Sequence, residues 1–568
     1  MWTDRYPEIA FLLSFSAYDT TPKHRIDSEE ECALWYQGLR LEGVDILYVF
    51  GIGSGESYSK AKSWLQEKKE RMLIFLEDDL GVLSTLISQE LLNDPQVHIQ
   101  LISDSKELDA TLQTLVETFP SNRIEVSASI HYAKMRFRLF KKLHLKLLRL
   151  SAVTNALMTE ALYSHELLVN VLANLKHWPQ SFFANGLKGK FKNIPAIICG
   201  AGPSLNAAIP LLQTLEDKAL IIAGGSAIAA LSHFGLVPHI GMALDPNREE
   251  YSRLKASSAF EMPLLYGTRL HPDVFQTCSG PFGYIQSFTG GPCEAYFERE
   301  LGIQADPIGP DLGPEALSIT TLAIALAVEM GCNPIILNGV DLAYTGMQRY
   351  AEGVMQTSQV FLQKLAQERQ AAERLLRRKG IEGTMVHTLV KWVMESSTIS
   401  NYAHAHPQTQ FINTSCHGLG FKAIPNEALE SVIEMHCQNT FDLRGWVHAE
   451  ICQLKLVHLT RENIQAKMDE VRASLQRLHR LSKEMLEELN ALKTEERSFP
   501  TGKMTLLQLD FEEEKAFECF LPHVGPMLDR LLNRSFPDLE GRSHGIERQM
   551  AKWERLHQMI QKELLLIS

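Results

Sequence analysis

"AIICGAGPSLNAAIPLL", residues 196–212, carries a buried apolar run into Gly200-Ala201-Gly202-Pro203-Ser204 and then into a helical pattern. That order is a strand handing over to a helix through a loop able to cradle a phosphate. Glycines let backbone N–H groups approach a ligand closely, and the first N–H groups of the helix favour an anion. Ser204 faces the same point, Pro203 suits a first helical turn, and Pro210 predicts a short or kinked helix. No Gly-Lys-Ser/Thr follows, so this is not a Walker A loop, and the full GxGxxG dinucleotide fingerprint is missing too.

Other strand ends add to the loop. Strands are expected at 195–199, 219–223, 239–244, 263–266, 283–287 and 335–339, most with helical patterns between them. Such alternation predicts a doubly wound, Rossmann-like parallel sheet, in which ligands sit beyond the carboxyl ends of the strands. Those ends read Gly224-Gly225-Ser226, Asp245-Pro246-Asn247, Tyr266-Gly267 and Gly339-Val340-Asp341. Each alone is an ordinary turn; together they ring one crevice with small and polar groups. Ser318, Thr320 and Thr321 offer hydroxyls at the start of a further helix, or cap it. Tyr344 and Tyr350 follow Asp341 at the mouth, with Arg349, Arg248 and Arg269 as the nearest cations for a leaving phosphate.

The rest of the chain bounds these readings. At 568 residues, 45% hydrophobic and 22% charged, it is a globular chain of several domains. A net charge of −12 argues against a general nucleic-acid binder. Nine scattered cysteines with no CxxC pair read as reduced thiols, without a disulfide framework or zinc site. "MWTDRYPEIAFLLSF" lacks a basic region ahead of its short apolar run, and "ALSITTLAIALAVEMGC" (316–332) falls short of the ~20 residues that span a bilayer. The expectation is a cytoplasmic protein with no membrane span.

Four segments follow: an α/β unit over 1–125, a helical linker over 126–190, a central α/β domain over 191–435, and a helical domain over 436–568. The first holds strands in "DILYVF", "RMLIFLEDD" and "VHIQLIS". The linker is basic at its front, which reads as a solvated face. Residues 355–400 read as helical, with "TQFINTS" as the last strand. In the tail, Ile464, Met468, Val471, Leu475, Leu478, Leu481, Met485, Leu489 and Leu492 make one apolar stripe, which packs on the core or on a second subunit.

The blocks "IICGAGPSL", "VPHIGMALDP" and "ALSITTLAIALAVEMGCNPIILNGVDLAYTG" resemble the MptE-like family of archaeal 6-hydroxymethyl-7,8-dihydropterin pyrophosphokinases and bacterial motility accessory factors (Maf proteins). "TQFINTSCHGLGFKAIP" looks like the segment that follows in Maf proteins. The resemblance covers about 190–430, and the flanking segments follow the Maf arrangement. The same blocks are similar to bacterial sialyltransferases that use CMP-sialic acid, with Ala201 standing where those have Asn and Asp245 where they have Asn. The N-terminal "VFGIGSGESY…FLEDD" resembles a methyltransferase GxGxG turn, with Glu77 at the next strand end.

This resemblance implies a glycosyltransferase that moves a nonulosonic sugar from a CMP-activated donor to a protein or glycan hydroxyl, such as that of a flagellin-like acceptor. Gly200, Ala201, Gly202, Pro203, Ser204, Gly225, Ser226, Asp245, Ser318, Thr320 and Asp341 would line the nucleotide. Tyr344 and Tyr350 would steady the departing CMP, and a histidine would take the acceptor's proton. His387 is best placed for that in sequence, with His404, His406 and His417 behind it. No obligatory cofactor is implied. Two alternatives stand beside it. A pterin pyrophosphokinase would use Asp245 and Asp341 to hold Mg²⁺, and a non-catalytic nucleotide-binding scaffold would recruit a partner, or a second copy, through its tail.

Overall fold

The computed structural model describes residues 5–14, 21–86, 88–121, 123–162, 164–312, 318–346, 348–354, 375–494, 499–521, 524, 528, 532 and 542–567. Two compact units part between Thr159 and Glu160.

The first unit is built on a parallel sheet in the order β3-β2-β1-β4, with β1 Ile46–Phe50, β2 Met72–Glu77, β3 Val97–Leu101 and β4 Ile124–Ala128. "ILYVF" and "MLIFLE" are buried throughout, as continuous apolar runs must be when helices cover both faces. The expected boundary at 125 falls inside β4, which pairs with β1 along its whole length. The strand "IEVSA" is short and abuts a helical pattern, so periodicity alone hides it. The helices Ile130–Met135 and Phe137–Leu162 then supply the expected helical segment. At its basic front Lys142 and Lys146 pair with Asp104 and Asp109.

The second unit carries an eight-stranded sheet in the order β14-β11-β6-β7-β8-β9-β10-β5, parallel at every pairing. Its strands are β5 Phe182–Phe183, β6 Ala196–Cys199, β7 Leu220–Gly224, β8 Ile240–Ala243, β9 Leu264–Tyr266, β10 Phe282–Tyr284, β11 Ile335–Asn338 and β14 Phe411–Asn413. β5 adds an edge strand inside the span expected to be a helical linker. An apolar cluster lies on each face. One contains the helix Ile319–Glu329; the other runs from Leu205, Ile221 and Leu231 into the C-terminal helices.

Residues 355–374 of the expected 355–400 helix lie outside the described residues. The rest is part hairpin: β12 Leu375–Lys379 pairs antiparallel with β13 Met385–Leu389, and only then does the helix Val390–Ala405 begin. Gly380 N–H closes the turn on Thr384 O at 2.8 Å. The glycines of "KGIEGT" break helical periodicity there; β12 alternates exposed with half-buried residues, whereas β13 runs from exposed Met385 to buried Thr388 and Leu389.

The C-terminal helices Arg461–Thr494, Gly502–Glu512, Lys515–Phe520 and Arg542–Ile567 bury the expected apolar stripe completely, from Ile464 to Leu492. That stripe meets Phe511, Trp553 and Ile560 in the same cluster as the central sheet, so it is used inside the chain. No described helix is long and apolar enough to cross a membrane.

Candidate functional site

Gly200 and Gly202 follow β6, and the neighbouring β11 loop explains both. Their N–H groups donate to Asn338 O and Gly339 O, each at 2.8 Å. A Cβ on Gly200 would lie 2.3 Å from Gly339 O, and one on Gly202 would lie 2.5 Å from Asp341 Cγ. The two loops approach too closely for any side chain. Ser204 opens the helix Ser204–Leu212, only nine residues long, as Pro210 foretold. Its N–H donates to Asp341 Oδ2 at 2.9 Å, and its Oγ accepts the His417 N–H at 3.0 Å. An anion does face this helix N-terminus, and it is a carboxylate of the chain itself.

Burial pushes the Asp341 carboxyl up to about 6, against the opposing pull of the Ser204 bonds and His417. Its Oδ1 is buried with no partner among the described residues.

Across β7, Gly225 and Ser226 open the helix Ser226–His233. Glu250, on the helix Arg248–Lys255 after β8, reaches back to them: a Cβ on Gly225 would stand 3.1 Å from its Oε2. Burial pushes the Glu250 carboxyl up to about 8, helped by Asp245 and opposed by Arg253. Burial also raises Asp245, against Arg253 and Arg269. Arg253 lies 3.7 Å from Glu250 Oε2, whereas Arg248, one of the cations expected here, is exposed.

The tyrosines join this edge through a stack. Ala351 N–H donates to Ala201 O at 2.8 Å, tying the tyrosine segment to the glycine loop. The Arg349 guanidinium lies 5.0 Å from the Tyr350 ring and 5.4 Å from the Trp392 ring, and Trp392 lies 5.1 Å from Tyr344. Arg253 meets Tyr350 at 5.9 Å. Cations held over aromatic faces in this way keep their charge near the crevice mouth.

Ser318 caps the helix Ile319–Glu329 by accepting the Thr321 N–H, and its hydroxyl donates to Glu395. Burial pushes the Glu395 carboxyl up to about 7. Thr320 is half-buried in the first turn. Asp245 and Asp341 do not fit one Mg²⁺: β8 and β11 are three strands apart, about 14 Å at ~4.8 Å per step.

His387 reaches the site through its main chain, where its carbonyl accepts the Tyr344 N–H at 2.8 Å. His404 ends the helix before β14, and His406 bonds Tyr402 O there, at the amino ends of the strands and away from the crevice. His417 lies in it: its Nδ1 is 3.2 Å from Glu382 Oε2 at the hairpin turn. Glu250, Arg253, Trp392, Glu382 and Glu395 escaped sequence reading. Only Glu250 and Arg253 had a local signal, an acid and a base three apart on the helix that follows Asp245-Pro246-Asn247.

The N-terminal glycine loop is closed. Glu77, at the end of β2 and fully buried, accepts N–H groups from Ile52, Asp78 and Asp79 at 3.0 Å and the Tyr132 hydroxyl at 2.5 Å. The Tyr132 ring packs where a Cβ on Gly51 would stand, 2.8 Å away. The remaining cleft holds about 10 Å³, no more than one water.

All nine cysteines are free, and no three metal-ligating side chains gather among the described residues. Residues 169–347 match the family model described as 6-hydroxymethylpterin diphosphokinase MptE-like. No curated protein matches the chain in sequence. In fold, the chain is similar to the solved MAf glycosyltransferase from Magnetospirillum magneticum AMB-1, at a TM-score of 0.54 and 14% identity, over 99% of this chain and 87% of that one. Residues 169–347 thus match the MptE-like family model, within a chain whose fold is similar to that of a Maf glycosyltransferase.

Proposed function

We propose that this protein transfers a nonulosonic, sialic-acid-like sugar from a CMP-activated donor to a hydroxyl of a protein or glycan. The observation that carries the reading is the Tyr350–Arg349–Trp392–Tyr344 stack, anchored by Ala351 to the glycine loop. In this reading Ala201, Gly202, Ser204, Gly225, Ser226 and Asp245, at the carboxyl ends of β6, β7 and β8, would line the nucleotide, with Ser318 and Thr320 at its flank. As the acceptor oxygen attacks the anomeric carbon, the bond to the phosphate oxygen breaks and charge grows on that oxygen. The two tyrosine hydroxyls and the Arg349 guanidinium are the groups that would stabilise it. Asp341 acts through Ser204, whose N–H it fixes, and so sets the loop rather than the phosphate.

Calorimetry with CMP, CMP-sialic, CMP-pseudaminic and CMP-legionaminic acids, ATP and GTP, each with Mg²⁺ and with EDTA, tests this. Metal-independent binding of the CMP species, and slower donor turnover in Tyr350→Phe, are expected. The match to a diphosphokinase-like model keeps diphosphoryl transfer as a second reading. Binding of ATP or GTP only with Mg²⁺ would favour it, although Asp245 and Asp341 would then need separate ions. Binding without turnover by any donor would leave a nucleotide-binding scaffold.

A further inference from the structure

We propose that the outer edge of β12 docks a protein acceptor, taking an acidic, extended segment of it as an added strand. The proposal rests on the transferase reading and deepens it. It chooses a protein acceptor over a glycan and names where that protein is held.

Register fixes which edge is open. β12 and β13 form a sheet of two strands, with Arg377 across from His387 and Lys379 across from Met385. Hydrogen-bonded and non-bonded pairs alternate along an antiparallel ladder. Gly380 N–H bonds Thr384 O, so the backbone groups of Arg378 and Leu376 face β13. Those of Leu375, Arg377 and Lys379 point away from it. The same alternation turns His387 outward on the other side, where its carbonyl accepts the Tyr344 N–H at 2.8 Å. One edge of the hairpin is thus joined to the tyrosine segment. Among the described residues nothing pairs with the other, and an unpaired edge is a template for a further strand.

The side chains select the strand that fits. Leu375, Arg377 and Lys379 share the exposed face of β12, Leu375 at 51%. Arg377, Arg378 and Lys379 have no carboxylate partner among the described residues, in a chain of net charge −12. The basic front of the helix Phe137–Leu162 differs, since Lys142 and Lys146 there pair with Asp104 and Asp109. Cations on an edge repel a like strand, which works against pairing with β12 of a second copy. They favour a strand that carries acids.

Position connects this edge to the crevice. β12 runs into the hairpin turn, and the turn lies on the loop that follows β14. Ile381 N–H donates to Gly418 O at 2.9 Å, and a Cβ on Gly380 would stand 2.7 Å from that oxygen. The β14 loop is bonded in turn to the β11 loop, through Leu419 N–H and Asp341 O at 2.9 Å. A strand added to β12 lies three steps from Tyr344, about 14 Å at ~4.8 Å per step, which about four to five extended residues span. A Ser or Thr that far beyond the docked segment reaches the crevice.

The test uses the full chain and a fluorescent peptide, Val-Glu repeated three times with Gly-Ser-Gly-Thr-Gly at both ends, beside its Val-Lys counterpart. Anisotropy should show tighter binding of the acidic peptide. Arg377→Pro removes the edge N–H where a strand tolerates proline, whereas Arg377→Ala removes the charge alone. The proline variant should bind about 5–10-fold more weakly than the alanine one, with CMP affinity unchanged. Arg377→Glu combined with Lys379→Glu should reverse the peptide preference. With CMP-sialic, CMP-pseudaminic and CMP-legionaminic acids, sugar should appear on the flanking Ser or Thr, at a higher peptide KM in Arg377→Pro. Equal binding of the two peptides, equal affinity in the proline and alanine variants, or a wild-type dimer that Arg377→Pro dissociates overturns the proposal alone. Wild type that binds the acidic peptide but turns over no donor contradicts the transferase reading, and the edge then has no acceptor role.

Discussion

Two glycine loops stand at the same place in two parallel sheets, one after β1 and one after β6, and their surroundings differ. After β1, the acid at the next strand end is saturated: Glu77 takes three backbone N–H groups and the Tyr132 hydroxyl, and the Tyr132 ring covers Gly51. After β6, the neighbouring acids are left unsaturated. Asp341 Oδ1, Glu250 Oε1, Arg253 Nε and Arg349 Nε are buried without partners among the described residues. Buried polar atoms are nearly always satisfied, so the second crevice keeps a demand for hydrogen bonds at these four atoms; beside the first loop Ser57 Oγ and Asp78 Oδ1 are also buried without partners among the described residues, but the Glu77 carboxylate is met. A strand–glycine–helix passage shows where a ligand site can form. What the rest of the chain lays over it decides whether one does.

The largest effect that would sharpen this contrast lies in the closed loop. Tyr132→Ala should destabilise the first unit by about 3–5 kcal/mol, the usual cost of removing a large buried ring, and leave CMP affinity unchanged. Denaturant unfolding followed at Trp35 and Trp64, beside calorimetry, reads both. Loss of CMP binding in that variant would break the contrast.

Gly202→Ala comes next. Its Cβ would meet Asp341 Cγ at 2.5 Å and Gly339 O at 2.7 Å, so the β6 and β11 loops must separate. Overpacking of this kind costs about 1–3 kcal/mol, and CMP affinity should fall with it. Unchanged affinity would mean that this loop does not hold the nucleotide.

The third effect concerns pH and is read as a slope. Glu250 is raised in the folded chain to about 8 from an ordinary 4.5. The native state therefore binds more protons than the unfolded one between those values, and stability falls as pH rises from about 4.5 to about 8. The slope from this one group is at most ~1.4 kcal/mol per pH unit. Glu250→Gln keeps the size and removes the ionisation, so urea midpoints of the variant should decline less over that window. An identical decline would show that Glu250 does not carry the burial assigned to it.

Much of the fold is legible because its strands are continuous apolar runs. β1, β2, β6, β7 and β11 need no partner to be recognised, and Gly or Asp marks several of their ends. β4 was lost because "IEVSA" is five residues joined to a helical pattern. The β12–β13 hairpin was lost because its strands are half exposed and lie where helical composition surrounds them. The site divides in the same way. The glycine loop, Asp341 and the tyrosine pair stand on strand ends and can be read locally. Trp392 meets Arg349 and Tyr344, and Glu382 meets His417, only when the β14 loop crosses the β11 loop and the hairpin folds down, so no spacing in the chain announces them.

The central claim is that the loop after β6 holds the nucleotide and the loop after β1 does not. Hydrogen exchange of the full chain with and without CMP compares the two directly. The account predicts slowed exchange over 200–206, 225–228 and 339–351, with 51–58 unchanged. Protection confined to 51–58 would contradict it.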